Sequence, residues 1–223
     1  MPKKCLTFDS GPLINFAMNG ILPLLKKLKK EFDGDFLITK EVKREIIDYP
    51  LTTKKYELEA LQIQELFDDN IIKYADITNE EVDDLRIKRE EIMNIANNTF
   101  FMKNKPIHLL DKGECAVMAL SKILDCKCTL VIDERTARML CENPENLRKL
   151  LQKKLHTNIT SKKENYGFFK DFKIIRSTEL IYIAHKKGLI QLKDNRAYEA
   201  HLYAIKYRGC SISEDEIEEM KRL

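Results

Sequence analysis

Short apolar runs alternate with longer amphipathic stretches along most of the chain. Strands are predicted at residues 5–8, 36–38, 130–132 and 174–175, with a further edge or surface strand at 71–75. Most of these runs are continuously apolar, as strands buried on both faces of a parallel sheet are. Because strands alternate with helices, the pattern predicts an α/β fold of three layers, in which helices flank a central, mostly parallel sheet.

Helical periodicity fills the intervals between these strands. Ser10, Gly11 and Pro12 open the first helical region, and Gly20 and Pro23 predict an interruption inside it. Thr39 is a predicted N-cap for the helix that follows the second strand. Helices are predicted over residues 40–48, 58–67, 80–97, 111–124, 134–141, 178–187, 195–207 and 214–222.

The composition leaves nucleic acid open as a partner. Hydrophobic residues make up 43% of the 223, enough for a sizeable core, and 39 basic against 36 acidic residues give a net charge of +3. This balance neither demands nor excludes nucleic acid, so the local distribution of charge matters. A basic, irregular segment is predicted at about 143–173, where few acids accompany Arg148, Lys149, Lys153, Lys154, Lys162, Lys163, Lys170 and Lys173.

The lengths of the apolar runs also indicate in which compartment of the cell the protein is expected. None is long enough to span a bilayer, and the basic start MPKKC is not followed by a signal-peptide core. A cytoplasmic protein is therefore expected. The six cysteines mostly sit inside apolar segments, which predicts small, reduced core residues.

Two acidic residues directly follow predicted strands. Asp9 ends the first apolar run, and Asp133 ends the run at 130–132. Each has an ordinary explanation as a helix N-cap, and Glu134 beside Asp133 is favoured by the helix dipole. Taken singly, neither residue indicates a functional site.

Two further acids lie near the starts of helices. Glu114 follows Asp111 by three residues, which is the spacing of a capping box. Glu45 has the ordinary explanation of a solvated glutamate, although its angular position lies closer to the apolar face of its helix than that of Glu41.

Together the four acids indicate a metal site. The carboxyl ends of parallel strands meet at one crevice, so Asp9, Glu45, Glu114 and Asp133 are expected to converge there. Converging carboxylates repel one another and have raised pKa values unless a cation neutralises them. A set of oxygen ligands selects Mg²⁺ or Mn²⁺, which suits phosphodiester hydrolysis.

The order and context of these acids resemble the PIN-domain (PilT N-terminus) nucleases. The matching stretches are LTFDSGPLI, ITKEVKREII, LDKGECAVMAL and TLVIDERTAR, followed by IIRSTELIYIAHKKGLI and AIKYRGCSISEDEIEEM. The later stretches resemble PIN proteins related to the toxins of type II toxin–antitoxin pairs. In the second stretch, Glu41 and Glu45 both fit the acidic position. Relative to the small toxins, residues 52–106 look like a helical insertion into a single domain that spans 1–223.

The resemblance implies a Mg²⁺- or Mn²⁺-dependent endoribonuclease in which water is the nucleophile. It implies Asp9, Glu45, Glu114 and Asp133 as catalytic residues, with Asp9, Glu114 and Asp133 as metal ligands. Candidate RNA-binding residues are Ser10, Arg135, Arg138, Ser177 and Thr178, together with Lys153 and Lys154 of the basic segment. RNA, an antitoxin-like protein and a second copy of the chain are the candidate partners.

Two alternatives remain open from the sequence. A PIN fold that binds RNA or protein without cleaving it would share the same architecture, although all four acidic positions are filled here. A haloacid-dehalogenase-like phosphatase also begins with an acid at the end of a strand. It requires a second aspartate two residues later, where this chain has Gly11.

Overall fold

The computed structural model describes residues 4–124 and 127–223. Eight strands lie in these ranges: β1 Lys4–Phe8, β2 Asp35–Ile38, β3 Lys73–Tyr74, β4 Phe100–Met102, β5 Lys105–Pro106, β6 Lys127–Val131, β7 Ile159–Ser161 and β8 Ile174–Ile175. The α-helices are α1 Ser10–Met18, α2 Leu22–Glu31, α3 Lys40–Lys43, α4 Glu57–Asp68, α5 Asn79–Asn97, α6 Lys112–Ile123, α7 Arg135–Glu142, α8 Pro144–Leu155, α9 Tyr166–Phe169, α10 Ser177–Lys186, α11 Ala197–Tyr207 and α12 Glu214–Arg222.

Five of the strands form one parallel sheet, as predicted. Its order is β3-β2-β1-β6-β8, and every neighbouring pair runs parallel. In the central pair, Phe8 of β1 lies opposite Val131 of β6. The two strands that precede Asp9 and Asp133 are therefore neighbours and end at the same level. The edge strand predicted at 71–75 is β3.

The two faces of the sheet bury different side chains, because successive residues of a strand point to opposite faces. Cys5 and Leu37 pack with Leu120 of α6 in one cluster. Leu6 and Phe8 belong to the larger cluster, which also holds residues of α1, α2 and α10. Helices thus cover both faces, and the molecule has the three-layer α/β architecture predicted from the sequence.

The first helical region is interrupted where Gly20 and Pro23 predicted it. The chain leaves α1 at Asn19, Gly20 adopts a positive φ of 67°, and Pro23 lies in the first turn of α2. Thr39 caps α3 as predicted, because its hydroxyl accepts a hydrogen bond from the Val42 amide at 3.2 Å. The same helix then continues as a π-helix over Arg44–Asp48. No described helix has both the length and the apolar character that crossing a membrane requires.

Residues 52–106, which are predicted to be a helical insertion, carry strands as well as helices. They contain α4 and α5, and α5 packs against α6. They also contribute the edge strand β3, together with β4 and β5. The last two pair antiparallel and, with β7, make a second sheet of order β5-β4-β7. These strands of two and three residues are too short to produce a detectable alternation in the sequence.

The basic segment at 143–173 is more regular than predicted. It begins with the twelve-residue helix α8, where Asn143 caps the Asn146 amide at 3.1 Å and Pro144 occupies the first turn. Leu147 is fully buried on this helix, and Leu151 packs beside the core. The sequence pattern did not reveal this apolar face, because long charged side chains occupy most of the other positions of the helix.

The expectation of reduced cysteines holds only in part. Cys5 and Cys128 lie opposite each other in β1 and β6 and form a disulfide. Cys115, Cys141 and Cys210 are free and buried, as expected. Cys126 lies outside the described residues. The disulfide depends on strand register, which apolar patterning did not reveal.

Candidate active site

A crevice opens at the carboxyl ends of the two central strands. The Asp9 amide donates to the Val131 carbonyl at 3.0 Å, which extends the β1–β6 pairing up to the acidic residue itself. Beyond this point the strands diverge into α1 and α7. The cavity there measures about 440 Å³, and its walls include Asp9, Ser10, Asp111, Glu114, Asp133 and Glu134. Three of the four predicted acids therefore border one cavity.

Asp133 is fixed by three hydrogen bonds to its carboxylate. Its Oδ1 accepts from the Ser177 amide at 2.8 Å, while its Oδ2 accepts from the Ser177 hydroxyl at 2.7 Å and from Nδ2 of Asn15 at 2.6 Å. Its backbone carbonyl accepts from the Ser211 amide at 3.1 Å. The side chain is only 3% exposed. Asp133 is thus held rigidly by residues from α1, α10 and the chain after α11.

Asp9 is a buried carboxylate near other acids. Burial raises its pKa most, the backbone amides of Ser10 and Gly11 lower it, and the charges of Asp111 and Glu45 raise it again, to about 7. Asp9 occupies the N-cap position of α1, but its side chain makes no capping hydrogen bond. The amides of Ser10 and Gly11, in the first turn of α1, partly stabilise the charged Asp9 carboxylate, but burial outweighs them.

Glu114 has two different oxygens. Its Oε2 accepts from the Asp111 amide at 2.9 Å, and the Glu114 amide donates to Oδ1 of Asp111 at 2.8 Å, which completes the predicted capping box. Its Oε1 is buried and has no hydrogen-bond partner among the described residues. Burial raises the pKa of Glu114 most; the Asp111 amide lowers it, and Asp9, Asp111 and Glu134 bring it to about 8. The capping box thus leaves one buried oxygen without a partner.

Glu45 and Glu41 lie one helical turn apart but have different surroundings. Glu41 is ion-paired with Arg89 of α5. Glu45 is exposed at the rim of the crevice. It lies next to Gly113 at the start of α6, since a Cβ built on this glycine would be 3.5 Å from Oε2 of Glu45. Partial burial of the Glu45 carboxylate raises its pKa most, a hydrogen bond with Ser10 lowers the pKa, and the charge of Asp111 raises it. Of the two glutamates, the structure places Glu45 beside the other acids.

Glu134, and not Asp133, caps α7. The Glu134 carboxylate accepts from the Ala137 amide at 2.9 Å and from the Thr136 hydroxyl at 2.9 Å. The prediction that Asp133 caps this helix is wrong, because its oxygens are engaged by Asn15 and Ser177 across the sheet edge. Glu134 borders the cavity at its exposed side.

The predicted hydroxyl residues occupy two kinds of position. Ser10 borders the cavity close to Glu45. Ser177 is fully buried and bonds Asp133, so it lies behind the acid. Thr178 is also fully buried, and its hydroxyl lies 3.3 Å from Glu179. Contact of Ser177 and Thr178 with substrate remains a prediction, and the structure gives Ser177 a role in positioning Asp133.

The predicted basic residues do not gather at the crevice. Arg138 contacts Glu216 and the Ser211 carbonyl, each at 3.4 Å, behind the site. Arg135 is exposed in the first turn of α7, and Lys153 and Lys154 are exposed in the last turn of α8. None of these four lines the cavity that holds the acids. Their role in RNA binding remains a prediction.

Sequence reasoning missed three residues that line the crevice: Asn15, His108 and Arg208. A buried asparagine within the otherwise apolar α1 was a usable signal, because buried polar side chains require partners. His108 and Arg208 are exposed and lie outside the strand ends. Only the fold brings them to the acids, so no spacing in the sequence could have identified them.

The residues of the crevice fit a hydrated divalent cation. No group of three His, Cys, Asp or Glu side chains in 4–124 and 127–223 is already arranged to hold an ion. However, Mg²⁺ keeps several waters and usually takes only one or two carboxylates. The unpartnered Oε1 of Glu114 and the raised pKa values of Asp9 and Glu114 are what a cation at this position would relieve.

A protein-family model described as a PIN domain matches residues 5–145, more than half of the chain. This range includes all four predicted acids. No curated protein and no solved structure gives a significant match.

Proposed function

The chain belongs to the PIN-domain family, and on that premise we propose that it is a metal-dependent endoribonuclease that hydrolyses RNA phosphodiester bonds at the carboxylate crevice. PIN domains are generally nucleases, and they typically use divalent metals. The observation that carries the proposal is the pair of buried acids, Asp9 and Glu114, which share one cavity and form no salt bridge within the described part of the chain. Burying a cluster of acids without a counter-ion costs free energy of folding. Its presence therefore favours a functional role for these acids.

Each acid has a distinct part in this mechanism. Asp9, Glu114 and Asp133 would hold a Mg²⁺ or Mn²⁺ ion, with Asp133 fixed by Asn15 and Ser177. The ion would lower the pKa of a bound water and neutralise charge on the phosphate. Glu45, at the exposed rim beside Ser10, would accept a proton from the attacking water.

The alternative is a PIN fold that binds RNA or protein without cleavage. The intact carboxylate set favours the enzyme, because a binding scaffold needs no buried acids with raised pKa values. The resemblance to type II toxins also makes an antitoxin-like protein and a second copy of the chain our proposed protein partners.

The test compares cleavage of a labelled RNA by the purified protein and its variants, with Mg²⁺ or Mn²⁺ and with EDTA. Asp133→Asn and Glu45→Gln are expected to lower the cleavage rate by roughly 10²-fold or more, the usual contribution of a positioned acid or base. Glu41→Gln is the matched control, because Glu41 lies on the same helix but pairs with Arg89. Cleavage that persists in EDTA would refute the metal dependence, and cleavage that Asp133→Asn leaves unchanged would refute the site. RNA binding without cleavage in either metal would favour the scaffold.

A further inference from the structure

Two stacked tyrosines, Tyr203 and the exposed Tyr207, lie near the end of α11 beside the crevice. Tyr207 is 74% exposed, more than any other large hydrophobic side chain among the described residues. Its ring stacks on that of Tyr203, with centroids 6.0 Å apart and an angle of 24° between the planes. Tyr203 in turn packs against the core. The exposed ring is therefore supported from below, which reduces the entropy lost when it binds a flat ligand.

Two cations accompany these rings. Nζ of Lys206 lies 5.5 Å from the centroid of Tyr203 and 5.7 Å from that of Tyr207, and it pairs with Glu214 at 3.0 Å. Arg208 follows immediately and lines the crevice. No carboxylate in the described part of the chain forms a salt bridge with Arg208, although the crevice wall is rich in acids. An unpaired guanidinium at this position suits a phosphate.

The chain connects this aromatic pair directly to the acids. Gly209 turns with a φ of 128°, and a Cβ built on it would lie 3.7 Å from Oδ1 of Asn15, the residue that bonds Asp133. Two residues later, the Ser211 amide donates to the Asp133 carbonyl at 3.1 Å. Tyr207 thus directly precedes Arg208 and Gly209, which both line the crevice.

We propose that Tyr207, supported by Tyr203, stacks on an unpaired base of an RNA strand whose backbone contacts Arg208 at the crevice. This inference rests on the proposed ribonuclease function and adds to it a base-stacking contact outside the acidic crevice. Base stacking on an aromatic ring needs an unstacked base, which a duplex does not offer. Every base has a flat face, so the contact selects unpaired RNA without selecting sequence.

The chain contains no tryptophan, so Tyr207→Trp introduces a single fluorescent reporter at the proposed contact. Binding is measured in EDTA, which separates it from cleavage, using a short unstructured RNA and the same RNA annealed to its complement. We expect the unpaired strand to quench the tryptophan at saturation and the duplex not to. An emission that saturating single strand leaves unchanged, or that the duplex quenches equally, would overturn the proposal.

Affinity measurements complete the test. Tyr207→Ala should weaken binding of the single strand by about 5- to 150-fold, the loss expected for one stacked base, while Tyr207→Phe should retain it. Tyr56→Ala is the matched control, because Tyr56 is also exposed and also has a lysine, Lys55, over its ring. If Tyr207→Ala binds like Tyr56→Ala, the stacking contact is refuted while metal-dependent cleavage can still stand. If Tyr207→Ala loses binding but no metal supports cleavage by the wild type, the contact stands and the nuclease fails.

Discussion

Two clusters of buried charge lie on either side of Asp133, and they differ in whether cations accompany the acids. In front, Asp9, Glu114 and Asp133 share the crevice. Behind, Arg176 donates to Glu179 at 2.6 Å and to Glu216 at 2.8 Å. The Arg176 side chain is 9% exposed. We call this second group, with Arg138, the arginine clamp.

The carboxyl pKa values of the two clusters shift in opposite directions, because only the acids of the arginine clamp are ion-paired. Burial alone would raise the pKa of Glu216, but the Ser213 amide and the Arg176 guanidinium hold it at about 2. In the crevice neither Asp9 nor Glu114 forms a salt bridge with a described residue, and burial raises the pKa of Asp9 to about 7 and that of Glu114 to about 8. The fold therefore pairs the carboxylates of the clamp with a cation and leaves Asp9 and Glu114 without one. We infer that the missing charge is left to an external ion.

The largest effect is expected from breaking the clamp. Arg176→Met leaves Glu179 and Glu216 without their cation, which should lower the free energy of unfolding by about 2–4 kcal/mol, toward the lower end for buried ion pairs because Glu216 is 36% exposed. Denaturant unfolding measures this. Arg148→Met is the control, since Arg148 forms a similar pair with Glu145 at 2.7 Å on the surface, and solvent screening should make this loss much smaller. Equal losses in the two variants would contradict the description of the clamp as a buried network.

The crevice should give a smaller effect with a defined dependence on pH. Asp9 and Glu114 bind protons more tightly in the folded state than at their ordinary values of 3.8 and 4.5. Without metal, stability should therefore fall as pH rises from about 4 through 7 and 8. Between pH 6 and 8.5 we expect a loss of about 1–2 kcal/mol, below the limit of 1.4 kcal/mol per pH unit per proton, because the crevice is open to water.

Thermal unfolding at these two pH values, with EDTA and with Mn²⁺, checks this expectation. Mn²⁺ should restore stability more at pH 8.5 than at pH 6, since ligands must lose their protons to bind. The double variant Asp9→Asn with Glu114→Gln should flatten the pH dependence, whereas Glu41→Gln should keep it. The clamp responds in the opposite direction: Glu216 contributes stability above about 4.5 that is lost as pH falls toward 2. A metal-free protein that is more stable at pH 8.5 than at pH 6 would show that the crevice acids are not protonated as described.

The smallest effect is expected from exposed charges outside both clusters. Replacing Lys153, Lys154, Lys162 and Lys163 by Gln should change stability by no more than about 0.5 kcal/mol. If these lysines bind RNA, the log–log slope of affinity against salt should become shallower by about 0.7 for each phosphate that the variant no longer neutralises. Metal binding measured by calorimetry serves as the internal control and should not change. Superimposable salt titrations for the variant and the wild type would remove this segment from the RNA-binding surface.

Much of the architecture was predictable because it depends on local pattern. Short apolar runs at β1 and β6 fixed two strands, and the acids that follow them, Asp9 and Asp133, had to appear at one edge of a parallel sheet. Thr39 and the pair Asp111 and Glu114 carried their capping signals within three residues. Such features need no knowledge of distant parts of the chain.

Tertiary structure alone decided which charged groups became partnered. In the sequence Glu41 and Glu45 both fit the acidic position, with only the angular position favouring Glu45; in the fold Arg89, 48 residues away, pairs with Glu41. Arg138 is a predicted phosphate ligand, and only the fold showed that the chain after α11 places Glu216 and the Ser211 carbonyl beside it. The sequence by itself determined where acids enter the edge of the sheet, since strand ends are local. Whether each acid meets a cation, a hydroxyl or an open cavity depends on contacts between distant segments, because burial and Coulomb attraction act through space and not along the chain.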